Sequence, residues 1–500
     1  MNTPILLILG LAGLQATVPS RPGPHMDEGA TLTMHPVEIP LPGGGTAVAE
    51  RGTLRVRIVR SDPESKEIGV DVWRFRALEG ASPEAPPIFQ LNGGPGWPGL
   101  EPTGVRWEDD IVPMIRHADY VLVGQRGIGT STDTSCNGPW TSESDPLALD
   151  ASLEERAAEI RRRCRECRAH WEGLGYDLSG LNVLEAADDV DDVRRLLGYD
   201  QIAILGGSFG SHWGMAVLRR HPESVARALL HGMEGPDHTY DMPSGVLGSL
   251  RRMAEAAEAS PQLAGQVPEE GLIEAFAAMV ESVEEEPVEL EVRHPRTGAP
   301  TTVRLDAEAL RSFALGYTTR VNSRGGMPGW PADLLRLLRG DFEQAARALL
   351  SNQDVELPTA SFFMLDCGSG ISRARLEVLR ADPAAKVVGD LGWWYQTACS
   401  VWDSDLGEDF RAGFTTDVPT LVVHGTWDVN TPFDNALECL SIFRNLTFVP
   451  VVGGSHGAFG EAIELDDDFR AAAMRFLTTG STEGLPREIV LPPIAWVVPS

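Results

Sequence analysis

The sequence predicts an α/β fold with a mostly parallel central sheet, interrupted by a mainly helical insertion. Three observations carry that prediction. The runs PIFQLN (87–92), DYVLVGQ (119–125), IAILGGS (202–208) and ARALLHG (226–232) are short and almost wholly apolar. Strands covered on both faces read this way. Helical periodicity then replaces the strand-helix rhythm, and the rhythm returns at PTLVVHG (419–425) and LTFVPVVGG (446–454). The expected boundaries are 30–236 for the first part of the core, 237–398 for the helical cap insertion and 399–500 for the second part.

The chain opens with MNTPILLILGLAGLQATVPS, which reads as a signal peptide over residues 1–20. Its apolar stretch is too short to span a bilayer and is followed by small and turn-forming residues. A secreted or periplasmic location is therefore expected, with no stable membrane association once the leader is removed. TLRVRIVR (53–60) and IGVDVWRFRAL (68–78) alternate apolar and polar residues, as antiparallel strands with one wet face do. Six cysteines are present. Cys164 and Cys167 sit in a charged helix without the second cysteine pair or histidines of a zinc site. In an exported protein, a disulfide from Cys136 to Cys164 or Cys167 is expected.

The segment VLEAADDVDDVRRLLG (183–198) places Leu184, Ala187, Val190, Val193 and Leu197 on one helical face, and Gly198 ends it. Within the insertion, GVLGSLRRMAEAAE and ADLLRLLRGDFEQAARALL are helical, and VELEVRHPRTGAPTTVRL is an extended pair turning at PRTG. DDDFRAAAMRFLTTG supplies a last helix for the core. The net charge of −30 disfavours nucleic acid and anionic membrane surfaces as partners.

The motif with the most chemical content is Gly206-Gly207-Ser208-Phe209-Gly210, between the strand IAIL and a helix. A G-x-S-x-G nucleophile elbow requires this context: the sharp turn presents the serine hydroxyl at the strand's C-terminal edge. A nucleophilic serine needs a general base, and the base needs an orienting acid. On an α/β-hydrolase fold these follow in the order serine, acid, histidine. Asp428, in GTWDVNTP, and His456, in GGSHGAFG, each follow a predicted core strand in that order. His231 and His424 fall at strand ends and read as packing or rim residues, and His212 as structural. Acyl transfer also needs two backbone N–H groups aimed at the developing oxyanion. Phe209 supplies one, and the loop Asn92-Gly93-Gly94-Pro95-Gly96 the other, with Gly94 preferred and Gly93 the alternative.

The succession NGGPG, VGQRGIGTS, GGSFG, GTWDVNTP and GSHG resembles the prolyl iminopeptidase and tripeptidyl aminopeptidase family of α/β-hydrolases. The resemblance spans about 87–232 and 399–486 and is weak in the insertion. It implies Ser208, Asp428 and His456 as a triad, Gly94 and Phe209 as the oxyanion hole, and release of short residues from a peptide's free N-terminus without a cofactor. Asn92 stands where many members carry His, and Gly124 where they carry Asp. Around Cys367 the chain reads MLDCGSGIS, without the glutamate that members often carry just after such a cysteine. Glu234 is the candidate to bind the substrate's ammonium instead. The expected partner is thus a small peptide or ester, bound without metal. The alternatives are an esterase using the same triad and a non-catalytic binding protein on this fold.

Overall fold

The computed structural model describes residues 29–41, 45–96, 107, 111–129, 132–138, 151–315, 323–351 and 357–499. The expected signal peptide lies outside them. In chain order the strands are β1 (Thr31–Pro40), β2 (Thr46–Arg57), β3 (Glu67–Phe75), β4 (Ile88–Leu91), β5 (Tyr120–Val123), β6 (Ile202–Gly207), β7 (Val225–His231), β8 (Val288–Arg293), β9 (Pro300–Leu305), β10 (Thr420–Gly425), β11 (Leu446–Val452) and β12 (Ile489–Val490). Ten of these form one sheet in the order β1-β2-β3-β5-β4-β6-β7-β10-β11-β12. The pairs β1–β2, β2–β3 and β3–β5 are antiparallel, and the rest are parallel.

Both faces of the parallel part are covered, which explains the apolar runs. Helices Leu153–Gly173, Val183–Leu196 and Phe209–Arg220 pack one face, and Ala458–Leu465 with Asp467–Thr479 pack the other. The antiparallel edge is longer than the sequence suggests. Strand β1, whose residues are mostly exposed, and the first half of β2 have no apolar alternation strong enough to announce a hairpin.

The helix Val183–Leu196 departs from expectation on its polar side. Leu184 and Leu197 are only partly buried, whereas Asp188, Asp189, Asp191 and Asp192 are all buried. Each is paired. Asp189 accepts from Arg126 Nε at 2.7 Å and from Arg60, Asp192 from Arg60 at 2.9 Å, and Asp188 from Arg220 and His221. Asp191 accepts from Arg194 of its own helix and from Ser224, and charges buried in this way are tolerated because arginines from the helix itself, from beyond β2, from the β5 loop and from the next helix meet them.

Two hydrophobic clusters divide the insertion. The first part, helices Pro243–Glu258, Leu272–Glu285, Ala307–Leu315, Trp330–Leu338 and Glu343–Ser351 with the β8–β9 hairpin, has its own core. The helical stretch expected over 332–350 breaks in two at Gly340. In the second part, Phe363 and Leu365 of helix Ala360–Ser369 and Ala398 of helix Trp393–Trp402 share the main core's cluster with Phe89 and Phe209, whereas Ala384 and Val388 join the first part's.

The tail crosses from one cluster to the other. After β12 pairs with β11, Arg324 donates to the carbonyl of Pro492, Trp496 N–H to Gln262 Oε1 at 2.8 Å, and Val497 N–H to the Pro328 carbonyl at 2.8 Å. The Trp496 ring lies 6.2 Å from Trp427, one residue before Asp428. Two disulfides add covalent ties. Cys136–Cys167 takes the second of the two expected partners, and Cys367–Cys399, which the sequence did not suggest, joins helix Ala360–Ser369 to helix Trp393–Trp402, which runs across the expected boundary at 398. Cys164 and Cys439 are buried and free.

Candidate active site

Strand register brings the candidate residues to one edge. Leu91 pairs with Gly206, Gly207 with His231, His231 with Val423, and Gly425 with Val451. The loops following β4, β6, β7, β10 and β11 therefore emerge side by side at the C-terminal ends of parallel strands, with the strand order reversing at β4. Open α/β sheets bind their ligands at such a crevice.

Ser208 stands between β6 and the helix Phe209–Arg220 with φ 56° and ψ −133°, a strained conformation for a residue with a side chain. The flanking glycines make it attainable. A Cβ on Gly210 would overlap the Leu91 carbonyl, and one on Gly206 would lie 2.5 Å from the Gly210 carbonyl oxygen. Ser208 N–H donates to the His231 carbonyl at 3.0 Å, and Ser211 Oγ donates to the Ser208 carbonyl at 2.7 Å, fixing the turn.

His456 Nδ1 lies 3.1 and 3.0 Å from the two carboxylate oxygens of Asp428. Asp428 is fully buried. Its Oδ1 accepts the backbone N–H groups of Asn430 and Thr431 at 2.9 Å, and its Oδ2 accepts the Thr431 hydroxyl at 2.8 Å. Burial alone would raise the Asp428 pKa. The His456 and His424 imidazoles and these donors hold it at about 2. For His456, burial opposes protonation, but the charge and hydrogen bond of Asp428 and the charge of Glu461 outweigh it and raise the pKa. His456 also approaches the serine turn from the side: a Cβ on Gly232, beside His231, would meet its Cε1 at 3.1 Å. Among the described residues, no hydrogen bond joins His456 to the Ser208 hydroxyl; its Nε2 faces the Asn430 amide at 3.3 Å. Serine-histidine contacts are often loose before substrate arrives.

The loop after β4 lies against the serine. A Cβ on Gly93 would be 2.9 Å from Ser208 Cβ, so only glycine fits there. Gln125, whose role the sequence did not disclose, holds the loop's shape. Its Nε2 donates to the carbonyls of Asn92 and Gly93 at 3.1 and 2.9 Å, and its Oε1 accepts Gly96 N–H at 2.8 Å. Among the described residues, the N–H groups of Gly94 and Phe209 have no hydrogen-bond partner. The latter is the first residue of its helix, where N–H groups point outward unpaired. The histidines beneath have structural partners. His424 accepts Met233 N–H at Nδ1 (3.0 Å) and reaches the Thr431 carbonyl through Nε2 (2.9 Å). His212 bridges the Gly235 carbonyl and Ser369 Oγ.

Glu234 lies just past β7, with its side chain 12% exposed. Burial first, then the charges of Asp366 and Asp241, push its pKa well up. Asp241 is raised by burial and by Asp428 and Asp366, and Asp366 by burial, against a hydrogen bond from Tyr395. The three carboxyl groups thus form one electrostatic cluster, in which Asp241 also feels the charge of Asp428. Asp241 and Asp366 were not recognised in the sequence. Asp366 immediately precedes Cys367 in the chain. Helix Ala360–Ser369 connects cluster and loop, since a Cβ on Gly96 would touch its Phe362 at 3.4 Å.

A parallel sheet with a strained serine after a central strand, and an acid and histidine beyond two later ones, defines a class of protein. This chain belongs to the α/β-hydrolase fold family, which it matches over residues 86–462. Among curated relatives it is similar to the tripeptidyl aminopeptidase of Streptomyces coelicolor, 27% identical over 189 residues. It is also similar to the serine protease Hip1 of Mycobacterium tuberculosis, 26% identical over 213 residues. These stretches take in 37% and 40% of this chain, and only 35% and 38% of the relatives' own lengths. An epoxide hydrolase from an endophytic Streptomyces aligns with 92% of this chain and 98% of its own at 14% identity, with a TM-score of 0.36.

Proposed function

We propose that the protein is an exported serine hydrolase that releases short residues from the free N-terminus of peptides. Ser208 is the nucleophile. His456 takes its proton through Nε2 and returns it to the leaving amine, while Asp428 keeps the imidazole in the Nδ1–H tautomer and offsets its positive charge. The amides of Gly94 and Phe209 receive the oxyanion, and water then hydrolyses the acyl-enzyme. The observation that carries this reading is the convergence of the Asp428–His456 pair and the Ser208 turn on one sheet edge.

The aminopeptidase part rests on Glu234, Asp241 and Asp366. Burial raises the pKa of all three carboxyl groups, Asp366 and Asp241 raise that of Glu234 further, and Asp366 that of Asp241, so the group is short of positive charge. A substrate ammonium supplies it and restores ionisation. Export is supported by the two disulfides, which persist in oxidising compartments.

The test compares aminoacyl-anilides with free and acetylated N-termini, and both with p-nitrophenyl esters. Loss of a buried charge pair costs about 3–5 kcal/mol, so acetylation should lower kcat/KM by roughly two to four decades. Glu234→Gln should narrow that gap. Equal cleavage of free and acetylated anilides would reject the aminopeptidase and leave an acyl hydrolase.

A further inference from the structure

Asn430 lies between the acid and the base and contacts both. Its backbone N–H donates to Asp428 Oδ1 at 2.9 Å, while its side-chain Nδ2 lies 3.3 Å from His456 Nε2. The chemistry of the ring fixes the direction of the second contact. Asp428 accepts, so Nδ1 carries the hydrogen, and a neutral imidazole then has a bare lone pair at Nε2. The amide NH₂ is the end of Asn430 that can bond to that lone pair. A carbonyl oxygen there would face it in repulsion. This lone pair is also the one that must accept the Ser208 proton, yet no hydrogen bond from Ser208 reaches it among the described residues.

We propose that Asn430 is a positioning residue that occupies the basic nitrogen of His456 in the resting enzyme and yields it to Ser208 when substrate binds. The inference rests on the serine-hydrolase reading of the site. One residue thereby sets the ring from both ends. Its main chain steadies the carboxylate, and its side chain holds the imidazole away from the serine. A donor on Nε2 favours the neutral ring, in opposition to Asp428. The other ionisable groups around His456 are His424 on β10, His231 on β7, Glu461 on helix Ala458–Leu465, and Arg324 of the insertion, which bonds the Gly453 carbonyl at 2.8 Å. Substituting Asn430 leaves all of them in place.

The experiment measures the rate of inactivation by a small fluorophosphonate against pH, in the full chain and in two variants. In Asn430→Ala the plateau rate at high pH should rise roughly threefold to tenfold, the scale of one hydrogen bond, and the midpoint should move up by about half a unit to one unit. Asn430→Asp, which keeps the shape and the backbone bonds, should move the midpoint up further, because a carboxylate beside Nε2–H stabilises the imidazolium. An Asn430→Ala or Asn430→Asp protein with wild-type melting temperature and an unchanged or lowered midpoint would overturn the proposal. Wild-type protein that resists the fluorophosphonate at every pH would instead overturn the serine-hydrolase reading.

Discussion

At the scale of single residues, Ser208, Asp428 and His456 are each readable because their signals are local. A strand, a glycine-rich turn and one polar residue sit within a few positions of one another. Ser208→Ala should lower turnover by about 10⁴-fold or more without unfolding the protein, measured on an anilide substrate and checked by circular dichroism. Asp428→Asn should cost roughly 10³-fold or more, because the imidazole then favours the wrong tautomer. It should also lower the midpoint of the pH-rate profile, since Asp428 is what raises the His456 pKa. Asp366 was not legible in the sequence because long-range packing alone brings it to Glu234, and Asp241, seven residues after Glu234, because it reads like any solvated loop carboxylate. Their raised pKa values carry a stability cost with a definite sign. The unfolded chain loses these protons near pH 4, and the native state holds them to higher pH. Native stability therefore falls as pH rises between the two. Asp241→Asn should accordingly melt higher than the wild type at pH 8 and lose that advantage near pH 4. An equal melting temperature at pH 8 would mean that the carboxylate is not strained.

At the scale of elements, the apolar strands were legible and the acidic helix was misleading. The repeat Asp188-Asp189 and Asp191-Asp192 looks like a wet face. It becomes a buried one because Arg60, Arg126 and Arg220 arrive from distant parts of the chain. Removing one partner leaves buried charge uncompensated, at about 3–5 kcal/mol. Asp189→Ala should show this as a lower urea midpoint. Because Arg126 adjoins Gln125, the same variant should loosen the loop carrying Gly93 and Gly94. The disulfide Cys136–Cys167 closes a sequence separation of 31 residues, for which loop-closure entropy gives about 3.7 kcal/mol. Replacing both cysteines by serine should lower the melting temperature under oxidising conditions, and the difference should vanish in reductant.

At the scale of the whole molecule, the return of the strand-helix rhythm near residue 419 disclosed the insertion but not its internal division. Helical periodicity reports that a face is buried, not which neighbour buries it. Helices Leu272–Glu285 and Ala360–Ser369 therefore look no different in sequence, although the first packs in the insertion's own cluster and the second joins the main core. Buried apolar area could not have been apportioned without the contacts themselves.

The tail that runs from β12 to Trp496 and Val497 also bears on mechanical load. It is attached by a two-residue strand, a few hydrogen bonds and the packing of Ile489, Leu491, Ile494 and Trp496, so traction applied beyond Val497 falls on these first. An optical trap pulling from that side should record an early, low-force, reversible lengthening before the sheet gives way. Because the detached stretch holds the insertion against the loop of Asp428, a tether there would act as a brake that tension could release.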